Sequence, residues 1–399
     1  MMILKKVFSA PALCVPALLL SLLTFNGCSD EFSSVGSQLL NKENSTVKVL
    51  DSVIDSLNVS RTNFKEIKAL GTSTTFLIGR YNDLTSYTLL KFDCYNSDLV
   101  SALKNDSITV VSATMKLTPQ YQYGDTLSSF GFQAHLVNEF WDPYQFTADS
   151  LDRISYNKTD LIIEKNVADT PYTFKLDQQT VLGWMKYDAV DSGNVANHGI
   201  MLEPSRGINK VVGFYGVSYY NDAPPVMEVI YVKTGSAPDT ITFDAIYDVH
   251  AVTSPEAETS SPYLILQSGV TYSSRLFFDI SSIPKSAVIN SAELLLTIDT
   301  TQSKFSADVY KELRAYAVTD SSKNYYTSSG AVTLTPSGNV YSGKFTSYAA
   351  VWHAKGSNLG IVITPALQNV GLEKFVFYGF DAADVNKRPR LKIIYSVFN

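Results

Sequence analysis

An internal repeat constrains the fold of this chain more than any other feature of its sequence. Five short blocks occur twice in the same order, separated by between 161 residues (198 to 359) and 186 residues (90 to 276). The paired blocks are 90–93 with 276–279, 111–117 with 290–296, 198–204 with 359–365, 214–216 with 377–379, and 225–231 with 389–395. A series of this kind indicates two copies of one structural unit.

The first copy contains an insertion that the second copy lacks. The separation of the paired blocks falls by 25 residues (186 − 161) between the first and the third block, which places the extra residues around 139–168. Insertions of this kind belong in loops, where binding residues are frequently found. Any binding is therefore expected to differ between the copies.

The repeat also predicts the domain boundaries. Similar strands precede the two copies at 47–54 and 241–247. We therefore expect one domain at 44–233 and a second at 238–399. The short linker between them, 234–237, contains a glycine, and a proline follows it directly.

Short strands dominate the pattern of both copies. The clearest stretches of alternating or clustered β-branched and apolar residues are 108–117, 227–232, 293–298 and 391–395. Only 181–185 and 350–352 suggest helix, of a turn or two. Without helices to cover a parallel sheet, we predict an all-β chain of two tandem jelly-roll-like antiparallel β-sandwich domains. A barrel is less favoured, because nothing indicates closure.

The first residues have the order of a secretory signal peptide. Lys5 and Lys6 precede an uncharged run at 7–25, and the small residue Gly27 stands directly before Cys28. A helix retained in the membrane is the alternative, because a run of about this length could span a bilayer. Two prolines within the run disfavour that helix, since each removes a backbone donor.

Cysteine at the first position after the predicted cut resembles the lipobox of bacterial lipoproteins, in which that thiol is acylated. The acidic start at 29–31 resembles the surface-export signal of lipoproteins from Bacteroidetes, with a solvated acidic linker as the alternative. These resemblances imply a cleaved signal peptide at 1–27, lipidation of Cys28, and a flexible acidic linker at 28–43. They also imply a lipid anchor in the outer membrane, on the cell surface or facing the periplasm.

Cysteine content and net charge limit the remaining possibilities. Cys14 leaves with the signal peptide and Cys28 is the predicted anchor, so Cys94 stands alone and no disulfide framework is expected. The chain carries a formal net charge of −6, which offers no basic surface for a phosphate backbone. Nucleic acid is therefore not expected as a partner.

The repeated blocks resemble one known type of domain. The order Leu-x-Phe-Asp, Ser-Ala-x-Leu-x-Leu, Gly-Ile, Phe-Tyr-Gly and a closing strand that follows proline is similar to the DNRLRE type. The resemblance covers both copies and implies β-sandwiches of exported bacterial proteins, which overlap with a family of carbohydrate-binding modules. Residues 139–143 resemble the family's tryptophan-containing segment, whereas 320–326 in the second copy contain no tryptophan.

The insertion of the first copy lies in the densest aromatic region and supplies the candidate binding residues. Flat aromatic rings suit the apolar faces of sugars, and nearby carboxylates can accept hydroxyl hydrogens. The alternative is that these rings fill or cap the sandwich core, as aromatic side chains more often do. The candidates are Trp141, Tyr144, Phe146, Tyr121, Tyr123, Glu139 and Asp142.

Catalytic and cofactor motifs find no support in the sequence. The four histidines stand singly and no zinc or calcium spacing occurs, so no cofactor is expected. Residues 101–104 match Ser-x-x-Lys and 233–235 match Lys-Thr-Gly of the β-lactamases, in which the serine opens a helix of a largely helical domain. Here the repeat places Ser101 between two strands and Lys233 at a domain boundary, which disfavours this interpretation. Asp93 and Asp279, which end equivalent strands, are expected to start turns.

The sequence therefore predicts a non-catalytic cell-surface lipoprotein that binds a glycan or another envelope component. A structural or adhesion protein with a protein partner is the first alternative. A polysaccharide-cleaving enzyme on a β-sandwich is the second.

Overall fold

The fold was analysed on a computed structural model that describes residues 45–71, 73–191, 195–218, 221–256, 261–307, 311–322, 324–326 and 330–398. The predicted signal peptide, Cys28 and the acidic linker lie outside the described residues. Among the helices that the structure describes, none is long and apolar enough to cross a membrane.

The described chain consists mainly of antiparallel strands, which confirms the predicted all-β class. In chain order the strands are β1 Ser45–Asp51, β2 Val59–Lys65, β3 Thr75–Tyr81, β4 Leu84–Phe92, β5 Ile108–Leu117, β6 Pro119–Gly124, β7 Phe132–Leu136, β8 Ile162–Asn166, β9 Tyr172–Leu176, β10 Ile200–Pro204, β11 Lys210–Tyr215, β12 Val226–Lys233, β13 Pro238–Thr253, β14 Tyr263–Gln267, β15 Tyr272–Phe278, β16 Val288–Thr297, β17 Leu313–Asp320, β18 Tyr325–Tyr326, β19 Val332–Ser337, β20 Val340–Lys344, β21 Ile361–Pro365, β22 Lys374–Tyr378 and β23 Arg390–Phe398. The helices are α1 Val100–Lys104, α2 Gln178–Val190 and α3 Thr346–Lys355, with 3₁₀ turns at Ser97–Leu99, Ala148–Ser150 and Val385–Lys387.

The strands form two large sheets, each of which folds over to enclose its own core. The first sheet has the order β6-β11-β3-β4-β13-β12-β5-β9-β8, and β10 joins β4 to β7. The second has the order β1-β23-β16-β20-β19-β17-β21-β15-β14-β22, with β2 on β15 and β18 on β17. Buried residues form one core between 76 and 245 and a second from Leu50 and residues 264–395. Both copies are therefore β-sandwiches, as predicted.

The lead strands do not join the copies that they precede. β1 pairs with β23 and β2 pairs with β15, so the predicted domain 44–233 begins with two strands of the second sandwich. β13 completes the first sandwich, pairing with β12 through Pro238–Asp244 and with β4 through Ala245–Thr253. The tight turn after β12, closed by Ser236 N donating to Lys233 O at 2.9 Å, favours pairing with the strand that follows at once.

The register shows why the two lead segments look alike in sequence. Leu50 lies opposite Ile393, and Ile241 lies opposite Val229, which is the repeat equivalent of Ile393. The lead segments therefore occupy the same position in the two sandwiches. A sequence repeat defines that position but not which sandwich each segment completes.

Two helices are longer than the turn or two predicted. α2 has 13 residues and α3 has 10, and they pack on β5 and β16, which the repeat makes equivalent. Asp177 caps α2 by accepting from the backbone N–H of Thr180 at 2.8 Å. Trp184 of this helix is almost completely buried. The amphipathic patterns of α2 and α3 are weak, so packing against the sheets stabilises these helices.

The two sandwiches share a buried interface. Leu77, Leu84 and Val252 of the first sandwich pack with Val270 and Leu372 of the second. Polar contacts cross the same interface: the backbone N–H of Leu372 donates to the Tyr121 hydroxyl at 2.8 Å, and the Ser73 hydroxyl donates to the Asn369 carbonyl at 2.6 Å. The interface fixes the walls of the cleft described next.

Candidate functional site

A cleft of about 510 Å³ opens between the two sandwiches beside this interface. The first sandwich contributes the β3–β4 turn and Tyr123 of β6. The second contributes the β14–β15 hairpin, the start of β22 and the loop 301–304. Clefts of this size at domain interfaces are common positions for small-molecule sites.

One wall of the cleft is a row of four side chains on neighbouring backbone segments. Tyr272 lies opposite Gln267, Gln267 lies opposite Lys374, and Lys374 forms a bridge with Lys304. Residues directly opposite in antiparallel pairs project from the same face of the sheet. The row therefore presents an aromatic ring, an amide and two ammonium groups to the cleft.

The opposite wall supplies two more tyrosines. The rings of Tyr81 and Tyr123 lie 5.2 Å apart at an interplanar angle of 81°. Burial raises the pKa of the Tyr123 hydroxyl well above its usual range, with smaller contributions from Glu373 and Tyr81. The hydroxyl therefore keeps its proton at any physiological pH. Tyr81 is half-buried, and its ring lies 5.7 Å from the Lys304 ammonium.

A turn organised by Asp299 shapes the loop that carries Lys304. The Asp299 carboxylate accepts from the backbone N–H of Thr301 at 3.0 Å, its hydroxyl at 2.6 Å, and the Gln302 amide at 3.1 Å. Burial acts to raise the pKa of Asp299, but these hydrogen bonds outweigh it and hold the pKa below the usual range. The carboxylate is thus engaged in building the loop.

The two lysines of the row have no acidic partner among the described residues. Their backbones exchange two hydrogen bonds of 2.9 Å, so the side chains start from directly opposite positions. Within the part of the chain that the structure describes, neither ammonium lies within ion-pair distance of a carboxylate. Asp83 and Glu256 at the cleft are both exposed.

The residues predicted from the sequence fall into separate regions. Trp141 and Phe146 are buried against Leu89 and Val249 on the outer face of the first sandwich. The Trp141 indole N–H donates to the carbonyl of His198 at 2.7 Å. The packing interpretation accounts for both rings.

The polar candidates of the insertion are held by local hydrogen bonds. Glu139 accepts from the backbone N–H of Ser155 at 2.6 Å, and Asp142 accepts from the backbone N–H of Tyr144 at 2.8 Å. The Tyr144 side chain is 66% exposed and does not share the cluster of Trp141 and Phe146. A ligand-binding role for Tyr144, Glu139 and Asp142 stays a prediction.

Tyr121 and Tyr123 lie together on β6, away from the insertion. Tyr121 packs into the interface between the sandwiches, and only Tyr123 lines the cleft. Sequence reasoning missed Tyr81, Tyr272 and Lys304, because contact between the two copies brings these distant segments together. The only local signal was the polar turn that follows Tyr81.

The described residues contain no group of three or more His, Cys, Asp or Glu side chains able to hold a metal ion. The chemistry that the cleft does offer is aromatic surface, amide and hydroxyl hydrogen bonding, and positive charge. Such a set suits recognition of a polar ligand that also has apolar faces. The fold and the cleft thus define a tandem β-sandwich protein with an interdomain cleft.

Comparisons with known proteins add little to this description. No family model matches the chain, and no curated protein matches it. The N-terminal domain of the Streptococcus gordonii adhesin Sgo0707 is 10% identical over 80% of this chain and 57% of that chain, with a TM-score of 0.17. The Macrobrachium rosenbergii nodavirus structure is 9% identical over 100% of this chain and 97% of that chain, with a TM-score of 0.11. Similarities this low carry no argument about function.

Proposed function

We propose that this protein is a non-catalytic, lipid-anchored surface protein that binds carbohydrate in the cleft between its two β-sandwiches. The observation that carries the proposal is the cleft itself, with three tyrosines on facing walls and a row of polar side chains between them. Sugars combine apolar ring faces with dense hydroxyl groups. Aromatic rings and convergent hydrogen-bonding groups match both properties.

Binding without catalysis is supported by the state of the acidic groups at the cleft. General acids and bases are usually tuned by burial or by close charges. Asp83 and Glu256 are exposed, and Asp299 is occupied by its own turn. The two exposed carboxylates, Asp83 and Glu256, therefore suit hydrogen bonding to a ligand better than proton transfer.

The proposed anchor would attach beside the second sandwich. β1 begins at Ser45, which lies opposite Phe398 of β23. The 17 residues from Cys28 to Ser45 span at most about 60 Å when fully extended. An acylated Cys28 would therefore hold the second sandwich nearer the outer membrane, with the first sandwich attached to it through the shared interface.

A protein partner is the second candidate, favoured by the edge strand β1. Val47 and Val49 on this edge are 63% and 49% exposed, and one side of the strand is not paired within the described residues. Exposed edge strands are frequent sites for the addition of another strand. A partner of this kind would define a structural or adhesion role.

Replacing Tyr272 tests the proposed function. The test uses the mature chain, residues 28–399 with Cys28→Ser, and the glycan that this chain binds most tightly on an array. We expect Tyr272→Ala to weaken binding of that glycan about 10-fold, equivalent to about 1.4 kcal/mol. The ring is half-buried in the wall of the cleft, so its loss removes ligand contact area. Isothermal titration calorimetry measures the change.

Tyr144→Ala is the matched control, because this exposed tyrosine lies in the insertion and not in the cleft. We expect it to leave affinity unchanged. Loss of binding in Tyr144→Ala with wild-type affinity in Tyr272→Ala would move the site to the insertion. Absence of any glycan binding, together with stoichiometric capture of one envelope protein, would favour the adhesion role.

A further inference from the structure

The row that forms one wall of the cleft carries more positive charge than its surroundings explain. Lys304 and Lys374 lie directly opposite each other, and like charges in this position destabilise a sheet. A chain of net charge −6 has acidic residues to spare, yet no carboxylate among the described residues lies within ion-pair distance of these two.

The nearest buried acid does not neutralise the pair. Glu373 precedes Lys374, but its carboxylate accepts from the Ser306 hydroxyl at 2.8 Å and also bonds the Tyr121 hydroxyl. Successive side chains of a strand point to opposite faces, so Glu373 faces away from the row. Burial raises the pKa of Glu373, although its hydrogen bonds act in the opposite direction.

Aromatic surface adjoins the two ammonium groups. The Lys304 ammonium lies 5.7 Å from the Tyr81 ring, and Gln267 separates Lys374 from Tyr272 along the row. A sugar ring placed against Tyr81 or Tyr272 would hold an anionic substituent within reach of a lysine.

We infer that the ligand of the cleft is an anionic carbohydrate, whose carboxylate or sulfate groups bind Lys304 and Lys374. The inference rests on the proposed function and specifies its ligand class. A bound anion would also relieve the repulsion between the two lysines, so binding and stability would be linked. Tyr81 and Tyr272 would contact the sugar rings, and the lysines would select for charge.

Calorimetry with three oligosaccharides tests the inference on the mature Cys28→Ser chain. The probes are a galacturonate oligosaccharide, its uncharged methyl ester, and a sulfated galactose oligosaccharide. We expect at least one anionic probe to bind 10-fold or more tightly than the methyl ester, with affinity that falls as salt rises. The carboxylated and sulfated arms show which anion the lysines prefer.

The double variant Lys304→Gln with Lys374→Gln should remove the preference for the anionic probe and most of its salt dependence. Lys48→Gln, an exposed lysine on β1, is the matched control and should change neither. Thermal unfolding of the double variant should occur at the wild-type temperature or above it, because the like charges are gone.

Two results would overturn the inference. In the first, the methyl ester binds as tightly as the anionic probes, and the double variant binds the ester and the anionic probes with wild-type affinity. The cleft then binds neutral carbohydrate, and only the charge assignment fails. If none of the three probes binds and no other glycan binds on the array, both the inference and the proposed function fail.

Discussion

Replacing Asp248 with asparagine is expected to make the protein more stable than wild type at pH 8, by up to about 4 kcal/mol. Asp248 is buried at the inner face of β13, and burial raises its pKa to about 7, although the backbone N–H of Val217 donates to the carboxylate at 2.6 Å. A shift of about 3 units corresponds to about 4 kcal/mol. Asparagine resembles the protonated acid and cannot ionise.

The sign of this effect follows from proton linkage. Between about pH 4 and 7 the folded state holds a proton on Asp248 that the unfolded state has released, so this group lowers stability as pH rises. His250 acts in the opposite direction, because complete burial lowers its pKa to about 3. Between about pH 3 and 6.5 the unfolded state protonates His250 and the folded state does not, so stability from this group falls with acidification.

In wild type, the pH dependences of stability that arise from Asp248 and His250 nearly cancel over about pH 4 to 6.5. Single variants should separate them. Chemical unfolding of Asp248→Asn, relative to wild type, should show a stability difference that grows from near zero at pH 4 to its maximum near pH 8. His250→Leu should instead gain on wild type as pH falls from 6.5 to 3. Differences that do not vary with pH would contradict the buried, neutral state of both groups.

Loss of the Asp51 carboxylate is the second large expected effect, and it tests the exchange of lead strands. Asp51 of β1 accepts two hydrogen bonds of 2.9 Å from Arg390 Nε and a further bond from Arg390 Nη2. We expect Asp51→Ala to lower the free energy of unfolding by about 2 kcal/mol, below the usual loss for a fully buried pair because Arg390 is partly exposed.

The decisive measurement is which of the two sandwiches Asp51→Ala destabilises. Hydrogen exchange should accelerate in β23 and β16 of the second sandwich, with little change in β4 and β12 of the first. Lys48→Ala on the same strand, whose side chain is exposed, should leave both sandwiches unchanged. Faster exchange in the first sandwich alone would show that the N-terminal strands belong to the domain predicted at 44–233.

The Asp51 effect should also depend on pH. Burial acts to raise the pKa of Asp51, but the hydrogen bonds from Arg390 and the backbone N–H of Val53 outweigh it and lower the pKa. The carboxylate therefore stabilises the fold above the unfolded-state pKa, and this contribution is lost as pH falls through the folded-state value. The difference between Asp51→Ala and wild type should shrink in acid.

The repeat made the fold class predictable, because each paired block corresponds to a strand or a turn. Asp93 and Asp279 illustrate this, since both accept from a backbone N–H two residues later, at 3.2 and 2.9 Å, as expected for turn starters. The partner of each lead strand was not predictable. The segments around Leu50 and Phe243 have similar patterns of apolar residues. Only the connection along the chain decides which core each residue enters.

The candidate site was less accessible to sequence reasoning than the fold. Aromatic density around Trp141 predicted one ligand platform, but that ring fills a cluster under the insertion. The cleft draws Tyr81, Tyr272 and Lys304 from segments far apart in sequence, which become neighbours only when the sandwiches pack together. Of the seven candidates, Tyr123 alone lines it.

Hydrogen–deuterium exchange of the mature Cys28→Ser chain, saturated with the glycan that binds most tightly on the array, tests most directly whether the interdomain cleft is the binding site. We expect slower exchange at 81–84, 267–272 and 301–304, with no change at 139–156. Protection confined to 139–156, with the cleft segments unchanged, would contradict this expectation.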